Sequence, residues 1–162
     1  MPPTHPDAMI PSMAPSPLIV VGVDGSEHSL AAIRWAAAEA RLRGARLRLV
    51  AAWKVSALMY AAEAFPPPYT LDLEAQVRGK AAQMLERACE AVAADLEGIE
   101  VERSLRNGPA PNVLCEASKV ADMLVVGSRG LGGFSGLLLG SVSHQCAQQA
   151  PCPVMIVRSA TG

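Results

Sequence analysis

The residues with the clearest chemical potential lie in VVGSRGLGGFSGLLLGSVS, Val125 to Ser143, a glycine-dense run with one basic side chain, Arg129, and no acid. Chain of this kind is entropically costly to order, so an ordered glycine loop implies a return. Glycines let successive backbone N–H groups point the same way and let a ligand approach the main chain closely. Gly140 and Ser141 open a helix, where unpaired N–H donors and the positive end of the helix dipole attract an anion. The Ser141 hydroxyl adds a donor, and a phosphate is the natural occupant.

Lysine is dispensable in such a site. A charged hydrogen bond contributes about 1.5–3 kcal/mol. Three or four backbone donors therefore supply roughly -4 to -8 kcal/mol, which is millimolar to micromolar binding. Other phosphate motifs fail on spacing. A Walker A loop needs Gly-Lys-Ser/Thr, and Ser141 follows Gly140 directly. A dinucleotide G-x-G-x-x-G would need glycine at Ser135 and an acid further on, where Gln148 to Pro153 stand. No G-x-S-x-G elbow is present for a hydrolase.

The elements that position this loop alternate. LIVVGVD (18–24) reads as a buried strand ending in a DGS turn, with Ser26 capping a helix that stops near Gly44. ARLRLVAAW (45–53) reads as a second strand, followed by a proline loop at 66–68 and one long helix over 71–96. IEVERSLRNG (99–108) alternates as an edge strand does, PNVLCEASKV is a short helix and DMLVVG (122–127) a buried strand. GSVSHQCAQQA forms the last helix and PVMIVR (153–158) the fifth strand. The pattern predicts an α/β fold with an open parallel five-stranded sheet and helices on both faces. Ligands of such sheets bind beyond the carboxyl ends of the strands, where strand order reverses. If strands one and four are neighbours, the DGS turn and the glycine loop line one crevice.

Bulk properties narrow the function classes. The chain has 162 residues, a formal net charge of -1, 51% apolar residues and 4% aromatics. One domain over 18–160 with an aliphatic core is expected, and nothing electrostatic favours nucleic acid or an anionic membrane. No apolar run approaches the ~20 residues that span a bilayer. Residues 1–17 are proline-rich, lack the regions of a secretory signal and read as a disordered tail. Cys89, Cys115, Cys146 and Cys152 show no zinc spacing, and a reducing cytoplasm suits them. His28 and His144 read as solvated helix residues.

The spacing Gly127-x2-Gly130-x9-Gly140-Ser141, with VGVDGSEHS near the start and APCPVMIVR at the end, resembles the ATP-binding branch of the universal stress protein family. The resemblance implies strand order 3-2-1-4-5 and a cytoplasmic protein that binds ATP, with AMP or ADP as alternatives and Mg²⁺ carried on the phosphates. It implies that Asp24 accepts hydrogen bonds from the nucleoside, that main chain near Ala52 holds the base, and that Gly127 approaches the ribose. Gly130, Gly140, Ser141 and Val142 then serve the phosphates, with Arg129 and Ser143 as further contacts. It also places strand five at an edge, where an apolar strand invites antiparallel pairing in a homodimer through 153–158. Three functions follow: a regulator working through nucleotide occupancy, a slow ATP-hydrolysing enzyme, or a dimeric scaffold whose nucleotide site is unused. The scarcity of charged groups near the loop favours the first, with no catalytic residue.

Overall fold

The computed structural model describes residues 14–58, 69–132, 136 and 138–160. Residues 1–13 of the expected tail and the proline run at 66–68 lie outside them. The elements run β1 (Leu18–Gly22), α1 (Glu27–Arg43), β2 (Arg46–Trp53), α2 (Tyr69–Ala91), α3 (Ala93–Leu96) and β3 (Val101–Asn107). They continue with α4 (Ala110–Ala117), a 3-10 turn at Ser118–Val120, β4 (Met123–Gly127), α5 (Ser141–Gln149) and β5 (Val154–Val157). The strands form one sheet in the order β3-β2-β1-β4-β5, and each neighbouring pair is parallel.

The apolar strands are continuous in hydrophobicity because both faces are covered, and successive side chains enter different cores. Ile19 and Val21 of β1, Leu47 and Leu49 of β2 and Val125 of β4 pack with Ile33, Ala36 and Ala37 of α1 and Leu85 and Ala88 of α2. Leu18 and Val20 of β1, Val50 of β2 and Leu124 and Val126 of β4 pack instead with Val113 and Leu114 of α4 and Cys146 of α5. Ile19, Ile33, Leu47, Leu49 and Leu124 are almost wholly removed from solvent, so the buried core is aliphatic, with Trp35 packed against it half-buried.

Two local signals in α1 act as their residue types dictate. Ser26 is extended and its side chain accepts the Ser29 N–H, capping the helix start. Gly44 ends the helix at φ 62°, a left-handed conformation that favours glycine. The long helix expected over 71–96 is interrupted: the backbone leaves helical geometry at Val92 (φ -120°, ψ 21°). Val92 is 1% exposed, and the Arg41 guanidinium donates to the carbonyls of Asp95 and Glu97 just beyond it. The bend lets the chain keep this buried side chain in the core while turning towards β3.

At the β3 edge, the register opposes Arg48 to Glu102, and their side chains make a 2.8 Å ion pair. The alternation read in 99–108 is therefore that of an edge strand, half exposed and charged. The other edge, β5, carries four half-buried apolar residues.

Because Ser26 both caps α1 and binds the Asp24 carboxylate through its own N–H and hydroxyl, Ser26→Ala is expected to lower stability by about 1 kcal/mol. Urea denaturation, read as a shifted midpoint at constant slope, checks this.

Candidate functional site

The cleft forms where β1 and β4 lie side by side. β1 leads through β2 to one edge and β4 through β5 to the other, so the chain diverges at this pair. The turn after β1 and the glycine loop after β4 consequently face one another across a cleft of ≈ 420 Å³. That volume falls in the usual range for small-molecule sites. Val23, Val50, Leu114 and Val126 give it a buried apolar lining. Asp24 and Arg129, half-buried, and Gly130 and Ser141, exposed, also line it. Asp24 and Arg129 are the charged residues of the lining, one acceptor and one cation.

All nine residues selected from the sequence line this cleft: Asp24, Ala52, Gly127, Arg129, Gly130, Gly140, Ser141, Val142 and Ser143. Ala52 comes from β2, opposite Arg106 of β3. The Asp24 carboxylate bridges two segments of the chain. Its Oδ1 accepts from the Ser26 N–H at 2.9 Å and so organises the start of α1. Its Oδ2 faces the loop and accepts the Leu131 N–H at 3.3 Å.

Among the motif glycines, Gly127 is required by contact with main chain, and Gly130 leaves room for the Asp24 carboxylate. A Cβ on Gly127 would lie 2.7 Å from the His28 carbonyl carbon and 2.8 Å from its oxygen. A Cβ on Gly130 would lie 2.5 Å from Asp24 Oδ2, in the space the carboxylate occupies. Gly132 has open space around it, in keeping with its position outside the motif.

Two expected phosphate donors are engaged inside the protein. The Gly140 N–H donates to the Ser128 carbonyl at 2.7 Å. The Ser143 hydroxyl, on a side chain buried from solvent, lies 3.0 Å from the carbonyls of both Ser128 and Gly140. These groups shape the loop; the remaining candidates for an anion are Arg129, Gly130 and the first residues of α5, Ser141 and Val142. Gly140 caps α5 without any side-chain hydrogen bond, so the helix start is closed by no side chain of its own.

Sequence reasoning passed over Ser128, which the motif treats as a spacer. It is 2% exposed and joins three segments: its N–H donates to the Val157 carbonyl at 2.8 Å, and its carbonyl receives Gly140 and Ser143. No residue-type pattern announces a main-chain hub of this kind. His28 also differs from the solvated reading. It is half-buried, with Nδ1 3.4 Å from Ser128 Oγ and 3.4 Å from the Ser159 nitrogen, whereas His144 is exposed as expected.

The four thiols are free. Cys146 is buried under the cleft's α5 wall, and desolvation, with Cys115 beside it, pushes its pKa up to about 12. Burial likewise raises the Cys89 and Cys152 thiols. They behave as small apolar side chains. Among the described residues no cluster of His, Cys, Asp and Glu is arranged to hold a metal ion.

The architecture and the site together define an open α/β protein whose ligand cleft sits at the sheet's switch point and is walled by a glycine loop instead of a lysine-bearing one. The sequence model of the universal stress protein family matches residues 18–158. A universal stress protein of Mycobacterium tuberculosis strain H37Rv is 37% identical over 141 residues, covering 87% of this chain and 48% of the relative. The chain thus spans about half the length of that relative. The universal stress protein UspA from Lactobacillus plantarum superimposes with a TM-score of 0.74 at 21% identity, over 90% of this chain and 99% of the other. A universal stress protein solved in complex with cAMP gives a TM-score of 0.62 at 28% identity, over 90% and 98%. The chain belongs to the universal stress protein family.

Two outcomes are expected. Gly127→Ala forces a methyl group against the main chain of His28 and is expected to cost about 1–3 kcal/mol, measurable by thermal or urea unfolding. The raised Cys146 pKa stabilises the fold fully below its ordinary value of 9.0, and this contribution is lost as pH rises towards about 12. Urea midpoints should therefore decline through that alkaline window, and more shallowly in Cys146→Ala.

Proposed function

We propose that this chain binds an adenine nucleotide in the β1–β4 cleft and works as a stress-response regulator through the occupancy of that site. ATP is the proposed ligand, with ADP and AMP as alternatives and Mg²⁺ carried on the phosphates. The observation that carries this reading is the polarity of the cleft. Buried apolar side chains, Val23, Val50, Leu114 and Val126, share the lining with an acceptor, Asp24, a cation, Arg129, and the start of α5. A nucleotide carries the matching set of aromatic base, hydroxyl-bearing sugar and anionic tail. The relative solved with cAMP supports the same class of ligand.

In this reading Val23, Val50 and Leu114 surround the base near Ala52, and Asp24 Oδ2 accepts from ribose hydroxyls. Arg129 and the Gly130, Ser141 and Val142 amides hold phosphate oxygens. The lining fits such a group because Gly127, Gly130 and Gly140 line the cleft without adding a side chain to it.

The lining also supports occupancy over turnover. Phosphoryl transfer at enzymatic rates calls for metal ligands, a group that positions the nucleophile and cationic stabilisation. The side chains here offer Arg129 and one carboxylate, and that carboxylate is tied to Ser26 on its Oδ1 side. No helix among the described residues is long and apolar enough to cross a membrane. We place the protein in the cytoplasm, as a homodimer paired through 153–158, where β5 presents an apolar edge.

Calorimetric titration with ATP and AMP tests the site, with dissociation constants expected between micromolar and millimolar. Gly130→Val should abolish binding and Arg129→Ala should weaken it about tenfold. Undiminished binding in Gly130→Val would move the site elsewhere. Turnover of ATP is expected well below about 1 s⁻¹, and a faster rate from purified protein would make this an enzyme. Sedimentation at micromolar concentration should show a dimer; a monomer there refutes the assembly.

A further inference from the structure

We infer that His28 is a positioning residue for the glycine loop, holding it in register with the chain that leaves β5. His28 lies in the first turn of α1, and the end of β4 passes directly over it, which is why Gly127 has no room for a Cβ. Its Nδ1 lies 3.4 Å from Ser128 Oγ and 3.4 Å from the Ser159 nitrogen. An amide can only donate, so the Ser159 contact requires the lone pair on Nδ1 and the proton on Nε2. One acceptor is thereby shared between the loop's first residue and the segment beyond the edge strand.

Ser128 makes this contact consequential. Its amide is fixed by Val157, and its carbonyl receives the Gly140 N–H and the Ser143 hydroxyl, which set where α5 begins. Holding the Ser128 side chain from the α1 side limits rotation of this peptide and so orients the carbonyl that organises the helix start. A shift of the chain past β5 is transmitted through the same nitrogen to the anion end of the cleft. His28 therefore acts on a ligand through Ser128 and touches none itself.

The test compares the full chain with His28→Ala and His28→Asn, since an Asn carboxamide oxygen falls near the place of Nδ1 and restores the acceptor. Hydrogen exchange at the Gly140 and Ser159 amides is measured without ligand, and AMP binding by calorimetry. Exchange at both amides should accelerate about three- to tenfold in His28→Ala, as loss of one or two weak hydrogen bonds implies. It should return to within about twofold of the parent in His28→Asn, and AMP affinity should follow the same order. The AMP arm rests on the nucleotide reading above and the exchange arm does not, so a parent that binds neither AMP nor ATP refutes that reading while exchange still decides this one. Unchanged Gly140 exchange in His28→Ala, or no recovery in His28→Asn, overturns the proposal. Ser128→Ala cuts the contact from the loop side, and unchanged Gly140 exchange there overturns it equally.

Discussion

The parallel pairing of β1 with β4, in register from Ile19 opposite Met123 to Val21 opposite Val125, is the constraint from which the site follows. These are the strands most completely shielded on both faces, and they have no freedom to slide without moving Val20 and Val21 into the wrong cores. Once they are fixed, the turn carrying Asp24 and the loop carrying Gly130 must meet, although 106 positions separate these residues in sequence. The cleft is thus a by-product of strand order. This is the general advantage of a switch point: the scaffold supplies proximity and the loops supply recognition.

Within the cleft the main chain does most of the organising. Ser128 ties the end of β5 to the start of α5 through its own peptide groups, and Asp24 links the start of α1 to the glycine loop through one carboxylate. Glycine matters here less for unusual backbone angles than for clearance. Gly127 is held against the His28 main chain at a distance no Cβ would tolerate, and Gly130 sits where a side chain would displace the Asp24 carboxylate.

Much of this was legible in the sequence. The five strands, their parallel arrangement and the edge character of β3 follow from hydrophobic runs and alternation, and the order 3-2-1-4-5 followed from the family resemblance. The glycine spacing pointed to the β4 side of the cleft, from Gly127 to Ser143, and the family resemblance added Asp24 and Ala52; all of them line it. The assignment of donors was less accessible. Whether the Gly140 amide faces a ligand or the Ser128 carbonyl depends on how two peptides meet in space, and peptides look alike in a sequence. The break at Val92 escaped for a related reason: the helical periodicity runs on through it, and only the core's hold on that side chain, with Arg41 gathering the carbonyls beyond, ends the helix. His28 read as solvated because its neighbours in sequence are polar, while its neighbours in space come from beyond β4 and β5.

The two margins of the sheet are unlike. On β3 the Arg48–Glu102 pair and Arg103, joined to Glu86 of α2, spread charge along the outermost strand, while β5 offers only aliphatic and thioether groups. In the proposed dimer, pairing through β5 uses the one apolar border, and the product exposes charged borders at both ends. Such an asymmetry ends growth at two copies, where two apolar borders would allow a fibre.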